Sequence, residues 1–118
     1  MATLSITAVL TDSTIGLTRR TDNLAVTTAA GNVDNRIVSV ATSETTFTLD
    51  TNIGNAGYVY AKNLDATNYV DLGFATTVYP LRLKAGQVAI FPITPATSAL
   101  YLLANTAACR VEILVHEA

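Results

Sequence analysis

From Tyr58 to His116 the chain is written in short apolar runs that come in pairs around turn residues: YVYAKN with NYVDLGF, PLRLK with VAIFPI, and ALYLLA with CRVEILVH. β-Branched Thr, Val and Ile dominate these runs, and no segment carries a clean 3.6-residue period, so strands are predicted and helix is not. Asp65-Ala66-Thr67, Ala85-Gly86 and Asn105-Thr106-Ala107 punctuate the pairs, which predicts three consecutive β-hairpins. Pro80, Pro92 and Pro95 fall at or near strand ends, where a missing N–H removes no ladder bond. The fold class this implies is all-β, a single-domain β-sandwich of about eight to ten short antiparallel strands. Alternation places Leu72, Leu83, Ile90, Leu102, Val111 and Ile113 in one core.

The amino-terminal third is less regular. A first strand is predicted over Leu4 to Leu10, with Leu4, Ile6, Ala8 and Leu10 on one face and Thr3, Ser5, Thr7 and Val9 on the other. Beyond it, Asp12-Ser13, Gly16 and Arg19 to Asn23 interrupt the pattern, leaving only Ile15-Gly16-Leu17 and Leu24-Ala25-Val26 as short strand candidates. Gly31-Asn32 and Gly54-Asn55 read as tight turns, with strands over Arg36 to Thr42 and Thr45 to Leu49. The expectation is one domain over residues 1–118 with a less regular, partner-contacting segment near 11–35.

Composition sharpens this picture. A chain of 118 residues fits one core. Half of the residues are hydrophobic, yet only 14% are charged, against about 25% in an average soluble domain. So little charge predicts that part of the exterior is covered by a partner, and self-association as a trimer or dimer is expected. A net charge of −2 and one adjacent basic pair, Arg19-Arg20, argue against a nucleic-acid surface. No run approaches the roughly 20 apolar residues of a membrane span, and the first residues lack the charged and apolar regions of a leader, so neither membrane nor export is expected.

Candidate chemistry is sparse. Cys109 is the single cysteine and shares a strand face with Val111, Ile113 and Val115, which predicts a buried, inert thiol. His116, the single histidine, lies two residues from the end without a G-x-S-x-G elbow anywhere, and is expected to face solvent beside Arg110 and Glu112. Asp50-Thr51-Asn52-Ile53-Gly54 has an oxygen-rich look but puts Asn55 and Ala61 where an EF-hand needs Gly and Glu. Asp65 and Asp71 have no spacing that marks a glycosidase pair. The expectation is no enzyme, no cofactor and no metal. Tyr58 and Tyr60 share a face and would suit a small sugar-stacking platform, but packing at an intersheet margin or an oligomer interface is the favoured reading, since the chain has no Trp, the strongest sugar-stacking residue.

The phrases Tyr58-Val59-Tyr60-Ala61-Lys62-Asn63-Leu64-Asp65, Asn68-Tyr69-Val70-Asp71-Leu72-Gly73, Leu81-Arg82-Leu83-Lys84-Ala85-Gly86 and Asn105-Thr106-Ala107-Ala108-Cys109 resemble small virion proteins of tailed bacteriophages. The resemblance covers roughly the last half of the chain. It implies a β-sandwich or jelly-roll structural protein, with capsid decoration or cement proteins fitting best, bound to the major capsid protein on the virion surface after assembly in the host cytoplasm. A tail, neck or head-fibre adaptor and a glycan-binding module are the competing functions. Under the decoration reading, Ile15, Leu17, Leu24 and Val26 are the candidate apolar contacts, with Arg19 and Arg20 as auxiliary charges.

Overall fold

The structure, a computed structural model, describes residues 2–28 and 31–118, and these fall into two compact units, Met1–Gly31 and Asn32–Ala118. Ten strands and no helix occur among the described residues, and every pairing is antiparallel. The all-β expectation holds.

The second unit is a sandwich of two four-stranded sheets. One has the order β3 (Val33–Val40), β10 (Cys109–Glu117), β5 (Ala56–Asn63), β8 (Val88–Pro92). The other runs β4 (Thr45–Thr48), β9 (Ala99–Ala104), β6 (Val70–Gly73), β7 (Leu81–Leu83). Eight antiparallel strands in two sheets, with β3 beside β10 and β4 beside β9, form a jelly roll. Period-two alternation fills the space between the sheets. Val40, Val59, Leu100, Leu102, Val111, Ile113 and Val115 are fully buried there, with Leu72, Phe47 and Cys109 beside them.

The three hairpins predicted from paired runs do not form. β5 and β6, β7 and β8, and β9 and β10 each lie in opposite sheets. A turn signal marks where the chain reverses, but the following strand can either hydrogen-bond to its predecessor or cross the core of about 10 Å to the facing sheet. Gly31-Asn32 does not close a hairpin either, since β3 pairs with β10. Of the predicted core residues, Leu72, Leu83, Leu102, Val111 and Ile113 are buried, whereas Ile90 is 48% exposed. Ala89 and Phe91 take the inward positions of β8, so Ile90 points away from the core.

Polar side chains tie the sandwich at its ends. Asn63 is fully buried; its Nδ2 donates to the carbonyls of Asn68 (2.8 Å) and Leu83 (3.0 Å), and its Oδ1 accepts from the Asp65 N–H (2.9 Å). The Asp34 carboxylate accepts two bonds of 2.8 Å from Arg36 and one of 2.8 Å from the Asp50 N–H, while Arg36 stacks on Phe47. The Arg36 hydrogen bonds hold the Asp34 carboxyl below its ordinary pKa against the opposing effect of burial, and the Asp50 N–H adds to them. At the chain end, Glu117 accepts from the N–H groups of Gly54 (2.8 Å) and Asn32 (3.3 Å). These bonds, that from Gly54 foremost, lower its pKa although burial opposes them.

The segment expected to be less regular, 11–35, is mostly strand; residues 29 and 30 within it lie outside the described residues. β1 (Ala2–Asp12) pairs with β2 (Leu17–Thr28) over nearly its whole length, so the two short strands predicted around Ile15 and Leu24 are replaced by one long strand.

Candidate functional site

The β1–β2 hairpin owes its surface chemistry to one irregularity. Ile6 pairs with Leu24 and Ala8 with Thr21, so Asp22 and Asn23 together oppose the single residue Thr7. This is a β-bulge. Asn23 adopts a left-handed conformation at φ 50°, which Asn tolerates better than most residues, and its N–H donates to Thr7 Oγ1 at 3.1 Å. The extra residue reverses the facing of everything after it on β2. Cross-strand partners share a face, so Leu24 and Val26 lie with Ile6 and Leu4, while beyond the bulge Arg19 and Leu17 lie with Leu10 and Asp12. Without the bulge, Leu17 would stand on the opposite face from Leu24 and Val26.

The result is one apolar stripe of Leu4, Ile6, Ala8, Leu10, Leu17, Leu24 and Val26. Leu10 is 66% and Leu24 48% exposed; Leu4, Ile6, Leu17 and Val26 are half-buried. Ile15 sits in the turn, 72% exposed, and Gly16 supplies the positive φ that the turn requires. The sequence-derived candidates therefore separate. Leu17, Leu24 and Val26 come together, with Arg19 on the same face. Ile15 stands at the tip, and Arg20 is on the other face, paired with Asp22 at 2.6 Å. Leu4, Ile6, Ala8 and Leu10 belong to the stripe but were not among the predicted contacts; their alternation in the sequence was the signal that could have added them.

A second apolar surface lies on the outside of the β3-β10-β5-β8 sheet. The registers align three complete rows across four strands: Val33–His116–Tyr58–Pro92, Asn35–Leu114–Tyr60–Ile90 and Ile37–Glu112–Lys62–Val88. Val33, Ile37, Val88 and Ile90 are exposed, and Tyr58, Tyr60 and Leu114 are half-buried. The opposite sheet differs. Its outer face carries none of the exposed large hydrophobic side chains among the described residues, and is crossed by the Asp71–Arg82 ion pair (2.7 Å), with Arg82 stacked on Tyr69.

The residues weighed for chemistry take structural roles. Cys109 is buried, and burial, with a smaller effect from the Asp65 charge, raises its thiol pKa, which disfavours the reactive thiolate. His116 lies on the outer face of its sheet with Arg110 and Glu112, as expected, but it is not exposed: Val33 and Tyr58 flank it in its row and the histidine is buried, with Nδ1 2.7 Å from the Glu117 carbonyl. Asp65 caps the turn at Thr67 and Asn68, whereas Asp71 is engaged by Arg82, so the two carboxylates serve separate contacts. Asp50 accepts from the Asn52 N–H at 3.0 Å within a polar turn. Among the described residues, no group of three or more His, Cys, Asp or Glu side chains is placed to hold a metal ion.

No protein-family model matches the chain, and none of the curated proteins matches it. Among solved structures the chain is similar to one from work described as "Bacillus endospore appendages form a novel family of disulfide-linked pili". The two are 14% identical, and the alignment covers 82% of this chain and 98% of that one at a TM-score of 0.48. A likeness of that degree carries no functional argument.

Proposed function

We propose that this chain is a structural protein of a tailed-phage virion that decorates the outside of the head, with the β1–β2 hairpin as its attachment arm. The observation that carries the reading is the apolar stripe of the hairpin, unbroken along β1 from Leu4 to Leu10 and joined on β2 by Leu17, Leu24 and Val26. A two-stranded ribbon is marginal by itself in water, and this one leaves Leu10 and Leu24 exposed, so burial against a neighbour supplies the stabilisation it lacks. Each such side chain fully removed from water contributes about 1.5–3 kcal/mol, whereas a surface ion pair contributes about 0–1 kcal/mol. Attachment accordingly rests on the leucines, with Arg19 tuning it from the same face. The phage setting comes from the sequence resemblance of the carboxy-terminal half, and the jelly roll is a scaffold compatible with that setting.

The test is rebinding to purified heads that lack the protein. Replacing Leu10 and Leu24 together by Ser is expected to lower occupancy more than replacing Arg19 and Arg20 together by Ala, in variants whose sandwich remains folded. If neither pair alters occupancy, the hairpin is not the arm. Copy number per particle separates the decoration reading, which requires many copies, from a neck or tail adaptor, which requires few.

A further inference from the structure

We propose that the outer face of the β3-β10-β5-β8 sheet is a two-fold interface between copies of this chain. The inference stands apart from the capsid reading, because it concerns a different surface and a different partner. An antiparallel sheet with one face in the core normally turns a polar face to water. Here that face instead carries four exposed large apolar residues, Val33, Ile37, Val88 and Ile90, around the half-buried Tyr60 and Leu114, while the strands of the other sheet carry no exposed large apolar residue among the described residues and only Tyr101 and Leu103 half-buried on their outer face.

The pattern of this face identifies its occupant. Two sheets that pack face to face through a two-fold axis need that axis in the plane of contact. The centre line of the sheet falls between β10 and β5. A two-fold axis along it lays β10 over the β5 of the second copy and β3 over its β8. Leu114 then meets Tyr60 and Ile37 meets Val88. Glu112, beside Lys62 in the same row, meets the Lys62 of the other copy, and the reciprocal contact follows by symmetry. Neither Glu112 nor Lys62 has an ion-pair partner within the chain among the described residues. The face is thus complementary to itself in charge as well as in apolar content. The twist of each sheet turns aligned sheets by about 30° and leaves the central Leu114–Tyr60 and Glu112–Lys62 contacts near the axis.

Size sets the expected strength. Four strands spaced about 4.8 Å apart, over three rows of two residues each, give a footprint of roughly 400 Å² per copy before side-chain relief is counted. Two such faces total about 800 Å², below the roughly 1,200 Å² at which stable specific interfaces begin, so the dimer should be weak and concentration-dependent, populated between about 10 μM and 1 mM protein.

Sedimentation of the full chain across that concentration range is expected to show a monomer–dimer equilibrium. Ile90→Arg, at a position already exposed, should leave the far-ultraviolet spectrum unchanged and weaken dimerisation about ten-fold or more. The charge pair gives the sharper test. Glu112→Lys and Lys62→Glu should each impair self-association, since each places like charges across the axis, and an equimolar mixture of the two variants should recover a dimer. The proposal is overturned by a parent chain that stays monomeric throughout that range, or by variants that associate unchanged. It is also overturned by single variants that are impaired while their mixture stays monomeric. Association lost in Leu10→Ser/Leu24→Ser but kept in Ile90→Arg would likewise exclude the sheet face and assign self-association to the hairpin.

Discussion

Replacing Asn63 by Asp changes one atom and should remove most of the stability of the sandwich at neutral pH. The Asn63 amide is fully buried and uses both of its N–H groups, toward the carbonyls of Asn68 at 2.8 Å and Leu83 at 3.0 Å. A carboxylate has no donor. It would orphan one buried acceptor, the Leu83 carbonyl, and one part-buried acceptor, the Asn68 carbonyl, at about 1–3 kcal/mol each, and set a buried charge against them with only the Asp65 N–H to accept from. The sum, roughly 4–6 kcal/mol, is comparable to the entire stability of many domains, about 5–15 kcal/mol. Protonation relieves part of it, because the neutral acid regains one donor. The folded-state pKa of the introduced group is therefore raised above its unfolded value of about 3.9, and the penalty grows as pH rises from there and levels off above the folded pKa. Urea denaturation of parent and variant at about pH 5 and about pH 7.5 measures this directly, with Asn63→Leu as the control that loses the bonds without gaining a charge. A variant as stable as the parent at the higher pH, or a gap between them that fails to narrow on acidification, would show that the buried bonds do not carry the weight assigned to them.

Two further outcomes are expected. Asp34→Ala should cost about 2–3 kcal/mol in urea denaturation, because it removes charge-assisted bonds to Arg36 and the Asp50 N–H, while Arg36 remains exposed enough to be rehydrated. Since the folded-state pKa of Asp34 is lowered, its contribution is present above the unfolded value and fades as pH falls through the folded one, so the deficit of the variant should shrink in acid. Gly73→Ala should lower the melting temperature by several degrees, because a Cβ there would overlap the carbonyl of Val78 and force the 74–79 segment to move; an unchanged melting temperature would mean that this segment yields freely.

How much of the architecture was legible depends on which question the residues answer locally. Alternation in Cys109 to Val115 states which side chains share a face, and Val111, Ile113 and Val115 are indeed buried together. It does not state which strand lies alongside. β10 is flanked by β3 and β5, more than forty residues away along the chain, and that choice is made by the closure of the whole barrel-like sandwich rather than by the turn at Asn105. The same limit explains the hairpin. The large apolar residues of β2 fall at 17, 24 and 26, an interval that matches no fixed period, and only the bulge at Asp22-Asn23 reconciles them on one face. A sequence reading that assumes unbroken alternation finds loop there, because a bulge has no signature beyond an Asn in a polar stretch.

The outer sheet face was hidden for a different reason. Ile90 looks like a core residue because apolar identity is normally a guide to burial, and on β8 both faces are apolar: Ala89 and Phe91 inward, Val88 and Ile90 outward. Within a strand, pattern assigns residues to two faces but cannot say which one is the core when neither is polar. What the composition did register is the sum. A charge content of 14% leaves too little to cover every exterior face, and the exposed large hydrophobic side chains on the described strands gather in two places, the hairpin and the β3-β10-β5-β8 exterior. The charge deficit is therefore not spread evenly over the surface. It coincides with two faces of distinct geometry, one a narrow ribbon suited to lying along a neighbour and the other a broad sheet that matches itself about its own centre line, and each can be disabled by substitution without touching the core.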